Sequence, residues 1–269
     1  MRWKTIASEI ERTATARGRA ASERFSIEGL RLIERAFVGS ATIESVLIAE
    51  SAVSRADRRV SRLLDQLDQA GVEVVEAPDI GLSRVIEGRE TGSMAALLRL
   101  PEAASLQSVL PASGPVRVLA AIGVDDPGNL GALVRTALAG GADAFMVSGP
   151  GDPYHPRALR ISRGSLFRLP VIRLESTDEL LAELAACDVE TIAAVTRDGQ
   201  DLATVEPPAD SRWAICVGSE AFGLADGLVK KMGRTVSIPM AEGVDSFSVH
   251  AAAAILLYTL NALNGDRFI

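Results

Sequence analysis

The chain has 269 residues, 48% of them hydrophobic and only 4% aromatic, with a formal net charge of −7 at pH 7. That length holds one large or two modest domains with buried cores, and an apolar share carried by Ala, Val, Leu and Gly suits helices on a parallel sheet better than an all-β sandwich. The acidic balance argues against indiscriminate nucleic-acid binding while leaving room for a local basic patch, and the lack of a leader-like or bilayer-length apolar run predicts a cytoplasmic protein outside the membrane.

Residues 1–20 predict a basic arm, mobile or helical, because Arg2, Lys4, Arg12, Arg17 and Arg24 stand against three glutamates in the first 24 positions. From Phe25 the pattern changes. Ile27, Leu30, Leu32, Ile33, Ala36 and Phe37 recur at helical spacing, and residues 46–49 form a buried strand. A polar helix over 56–70 ends at Gly71, with strands at 72–75 and 94–100. Residues 21–104 thus predict a small α/β domain, and 105–115, with Pro111, Ser113, Gly114 and Pro115, a linker.

A second domain is predicted over 116–269. It reads as a strand at 116–122, a helix at 130–139 stopped by Gly140-Gly141, and strands at 144–147, 169–174, 191–195, 213–217 and 235–238, with helices between. Strands alternating with helices imply a mainly parallel sheet. Cys187 and Cys216 sit in apolar surroundings as buried thiols. Two histidines and no Cys-x-x-Cys or His-Glu-x-x-His pattern leave metal catalysis without ligands.

Three segments carry candidate chemistry. In Asp125-Asp126-Pro127-Gly128-Asn129, a turn follows the first strand of the second domain; Asn129 is placed as a helix N-cap, and Arg135 lies six residues on. Gly218-Ser219-Glu220 follows a strand, so Gly218 lines the sheet's carboxyl edge and Glu220 either caps a helix or holds a polar substrate group. Ile238-Pro239-Met240 and Ser246-Phe247-Ser248-Val249-His250 lead into an alanine-rich helix, with Ser246 as N-cap or Ser248 and His250 facing a ligand. Between these, Arg157, Arg160, Arg163 and Arg168 form either a solvated face or a phosphate-binding stripe, and His155 reads as structural. No Gly-x-Gly-x-x-Gly or Walker loop is present, and a Ser-His hydrolase lacks its strained elbow.

In this order the segments resemble the SpoU (TrmH) family of RNA ribose 2′-O-methyltransferases, within the knotted SPOUT superfamily. Asn129 and Arg135 match its first motif, Gly218 and Glu220 its second, and Ile238-Pro239-Met240 with Ser246 to His250 its third; Arg160 to Gly164 and Leu169 to Val171 also fit. The resemblance covers residues 116–262. It implies a deep trefoil knot, S-adenosylmethionine as methyl donor without a metal, a homodimer with a shared active site, and RNA as substrate, ribosomal before transfer RNA and not DNA. Backbone groups of Gly218, Ile238 and Phe247, with Ser248, would hold the donor; Asn129, Arg135, Glu220 and Ser246 would form the catalytic set. The amino-terminal domain is similar to one that resembles ribosomal proteins binding kinked RNA. Ser248 stands where the family usually has Asn, and His250 where it has a small residue. The rival readings are an RNA-binding protein that kept the fold and lost catalysis, and, more distantly, a small-molecule transferase.

Overall fold

The computed structural model describes residues 1–55, 57–86, 93–206 and 212–263. The chain divides into two compact units, the first made of Met1–Glu102 and Tyr154–Phe167, the second of Ala103–Pro153 and Arg168–Ile269.

The first unit is built on a four-stranded sheet of β1 (Arg24–Glu28), β2 (Ile43–Ala49), β3 (Glu73–Ala77) and β4 (Met94–Arg99), in the order β1-β4-β2-β3. β4 runs antiparallel to both neighbours, and β2 and β3 are parallel. Helix Arg58–Gln69 is capped by Asp57 and buries Val60, Leu63 and Leu67 along one stripe. The helical period read from Ile27 began one element early. Phe25 and Ile27 are alternate inward residues of β1, and Gly29, at φ +85°, separates that strand from helix Leu30–Val38.

The basic arm is helical and built into this unit. Helix Arg2–Thr13 buries Ile6, Ala7 and Ile10, and a second helix follows at Ala16–Ser22. Part of the local positive charge is paired within the unit: Arg2 binds Glu73, Arg24 binds Glu44, and the buried Arg19 guanidinium donates to Thr13 O at 2.7 Å and Ala14 O at 3.2 Å. The Tyr154–Phe167 segment, expected within the second domain, clusters with the first unit because Tyr154 and Phe167 pack their rings against Phe25, at centroid distances of 5.1 and 6.4 Å. Helix Pro156–Ser162 carries Arg157 and Arg160; Arg163 follows it in the left-handed conformation, φ +50°. His155 caps that helix, its Nδ1 accepting from Arg157 N at 3.1 Å.

The second unit is a seven-stranded sheet of β5 (Val116–Ile122), β6 (Ala144–Ser148), β7 (Val171–Leu174), β8 (Glu190–Val195), β9 (Gln200–Asp201), β10 (Arg212–Val217) and β11 (Arg234–Ser237). Its order is β7-β6-β5-β10-β8-β11-β9, every pairing parallel. β5, β6 and β10 are almost wholly buried, which is why they read as unbroken apolar runs rather than alternating ones. The expected linker holds a short helix, Leu106–Val109, whose Leu106 is fully buried and donates its N–H to Glu183 at 2.7 Å. Both cysteines are buried thiols, and burial pushes the Cys216 thiol up to about 12. No described helix is long and apolar enough to cross a membrane.

Candidate active site

β5 and β10 lie side by side in the middle of the parallel sheet, with Val217 opposite Ala121. The chain leaves β5 towards β6 on one side, whereas β8 and β11 lie on the other side of β10. Such a switch point opens a crevice at the carboxyl edge of a parallel sheet. All three candidate segments leave that edge, following β5, β10 and β11 respectively.

The turn after β5 opens helix Pro127–Ala139. Its N-cap is Asp126, whose carboxylate accepts from Asn129 N at 2.9 Å, and Pro127 occupies the first turn, where no N–H is needed. Asn129 is therefore a half-buried first-turn residue and not the cap. Arg135 is exposed, and its side chain makes no hydrogen bond or ion pair with another described residue. Six residues rotate a helix by roughly 240° past one full turn, so Asn129 and Arg135 occupy different faces.

After β10, Gly218 is forced by close backbone approach. The turn folds back through a Ser219–Gly223 bridge, and a Cβ at Gly218 would lie 2.1 Å from the Gly223 carbonyl carbon. Phe222 at the tip is 90% exposed. Glu220 acts as a cap: its Oε1 accepts from Val249 N at 3.4 Å, a long bond, at the first residue of helix Val249–Leu263. Ser246 is not the N-cap. Ala252 N donates to Ser248 O at 3.0 Å, so Ser248 holds that position, while Ser246 and Phe247 are exposed in the loop before it. Ile238 is half-buried just past β11, and the buried Nδ1 of His250 has no partner among the described residues.

The two helices are locked together at their far ends, where Asn261 Nδ2 donates to Gly140 O at 2.8 Å and Leu257 packs on Gly140. Twelve residues back along each helix stand Gly128 and Val249. One helix follows β5 and the other begins against Glu220, just after β10, so both amino-terminal ends lie at the sheet's carboxyl edge, and each presents the positive end of its dipole. Gly218, Glu220, Ser248 and His250 are gathered at this junction; Arg135 is not. Sequence reasoning missed Asp126 as the cap, although an acidic residue before Pro127 carried the signal.

The profile of the SpoU rRNA methylase family matches residues 117–258. The chain belongs to the SpoU rRNA methylase family. The 23S rRNA (guanosine(2553)-2′-O)-methyltransferase RlmP of Bacillus subtilis is 29% identical over 96% of this chain and 94% of its own length. A crystal structure of an RNA 2′-O ribose methyltransferase, 29% identical, superposes with a TM-score of 0.79 over 96% of this chain and 95% of that one. The SpoU methyltransferase AviRb from Streptomyces viridochromogenes, in complex with AdoMet, shares the fold at 22% identity, with a TM-score of 0.85 over 99% of both chains.

Proposed function

We propose that this SpoU-family methyltransferase transfers a methyl group from S-adenosylmethionine to a ribose 2′-hydroxyl of structured RNA, ribosomal RNA before transfer RNA, in the cytoplasm. The observation that carries this reading is the contact of Glu220 with Val249 N, which draws the second and third motif segments onto one another at the sheet's switch point. The B. subtilis relative is named for ribose methylation of 23S rRNA, and AviRb is seen with AdoMet.

The junction fits a donor with polar ends: a buried His250 nitrogen lacks a partner among the described residues, and residues 241–248 are all exposed. Gly218, Ile238, Phe247 and Ser248 would hold the donor, chiefly through backbone groups, with Glu220 and Ser246 beside them. When bound, S-adenosylmethionine supplies an electrophilic methyl group. A ribose hydroxyl is a poor nucleophile, so this chain's part is in-line placement and help with proton loss. Asn129 orients the acceptor ribose. Arg135 clamps the acceptor's phosphate or hydroxyl through its forked guanidinium donors.

The same reading includes a trefoil knot at the carboxyl end and a homodimer with a shared site. The separate faces of Asn129 and Arg135 support a site completed by a second copy, as do the exposed Phe222, Phe247 and Tyr258. It also assigns the first unit to RNA binding. The test is labelled methyl transfer to ribosomal RNA: the wild type incorporates label and Arg135→Ala loses it while still binding S-adenosylmethionine by calorimetry. Equal incorporation by both proteins refutes the role of Arg135, and absence of donor binding by the wild type leaves the non-catalytic RNA-binding reading.

A further inference from the structure

The first unit contains a cleft of about 180 Å³ that the transfer chemistry does not use. Its floor is apolar, made by Ile10, Ile27, Leu32 and Leu159, and its rim carries Arg84 and Arg160 with Glu11 and Glu28. The Tyr154–Phe167 segment places more positive charge beside it. Arg35 on helix Leu30–Val38 donates to the Arg163 carbonyl, and its side chain lies against Gly164, where a Cβ would meet Arg35 Cβ at 2.8 Å. Arg157 stands one helical turn before Arg160.

Charge is distributed unequally along the chain. The segment brings three arginines and no carboxylate, giving the first unit 18 Arg and Lys against 16 Asp and Glu; the second unit has 10 against 19. A polyanion meeting this acidic protein therefore finds its favourable surface on the first unit. The cleft's size narrows the occupant further. A cavity of roughly 150 Å³ takes a benzene ring, so this one is matched to a single nucleobase and not to a sugar and phosphate as well.

Resting on the RNA-substrate reading above, we infer that this cleft seats one unstacked base of the substrate RNA, distinct from the methylated nucleotide, while Arg84, Arg157, Arg160 and Arg163 hold the flanking phosphates. Apolar walls receive the base's faces, and Glu11 and Glu28 offer acceptors to its exocyclic amino groups.

The experiment is filter binding of a full-length 23S rRNA transcript over a range of salt concentrations, with folding of each variant checked by circular dichroism. Leu32→Trp, which fills the cleft, weakens binding roughly tenfold, the scale of one lost base contact. The double variant Arg84→Gln/Arg160→Gln reduces the slope of log K against log salt by about 1 to 2. Ala14→Leu, at another residue lining the cleft, replaces Leu32→Trp if that variant does not fold. Folded variants that bind the transcript with wild-type affinity and slope overturn the inference. Donor calorimetry on the wild type separates the two readings: a protein that binds no S-adenosylmethionine but needs the cleft for RNA loses the methyltransferase reading and keeps this one.

Discussion

Replacing Gly218 by alanine tests whether the turn after β10 builds the donor site. The added Cβ would fall 2.1 Å from the Gly223 carbonyl carbon, 2.2 Å from its oxygen and 2.5 Å from Leu224 N. Ordinary contact begins at 3.4 Å, so the turn must retreat by about 1.3 Å. All three obstacles are backbone, and no rotamer change relieves them. Overpacking of this kind costs about 1–3 kcal/mol. Retreat of the turn also pulls Glu220 from Val249, a contact already at 3.4 Å, and a lost cap adds about 1 kcal/mol. Together these give about 2–4 kcal/mol, or a fall in melting temperature of roughly 4–16 °C for a domain of this size. Gly227→Ala is the control, since a Cβ there meets nothing within 4 Å. The assays are thermal melting by circular dichroism and calorimetry with S-adenosylmethionine. Gly218→Ala melting with the wild type and binding the donor with unchanged affinity would refute the reasoning.

Glu220→Ala should lower stability by about 1 kcal/mol through loss of the cap, while Glu220→Gln, which keeps an acceptor, recovers most of it in urea titrations. Cys216 is completely buried, with its thiol pushed up to about 12 by that burial; it should resist a thiol reagent at pH 8 until the protein unfolds, and rapid labelling of the native state would contradict this packing. Glu44 sits between Arg24 and Arg99: partial burial pushes its carboxyl up, but hydrogen bonds from the two guanidinium groups prevail and hold it below the usual value. A depressed folded pKa means that the stabilisation is complete above the unfolded value near 4 and lost as pH falls through the folded one. Glu44→Gln should therefore destabilise the protein at pH 7 and flatten the acid side of its stability profile; a parallel profile displaced at all pH values would exclude the linkage.

The strands of the second unit were legible because burial on both faces writes them as apolar runs: the expected and observed limits of β5 coincide at 116–122. Helix starts were less legible. Asn129 and Ser246 both have capping chemistry, yet Asp126 and Ser248 hold those positions, because Pro127 fixes one first turn and Glu220, 29 residues away in sequence, supports the other. Leu106 escaped notice because a four-residue helix has too few turns to show a period. The family motifs were visible as an ordered set, whereas the separation of Asn129 and Arg135 around their helix came only with its phase. The attachment of Tyr154 and Phe167 to Phe25 had no local signal at all, since it joins rings more than a hundred residues apart.

That attachment governs how this protein can be divided. The chain enters the second unit after Glu102, returns to the first at Tyr154 and leaves it again after Phe167. A truncated protein beginning at Ala103 would keep every family motif yet strip Tyr154 and Phe167 of the Phe25 ring they pack on, turning two aromatic side chains into a sticky surface. Exchanging the first unit for another consequently requires transplanting two separate stretches of sequence, the second lying inside the stretch that the family profile matches.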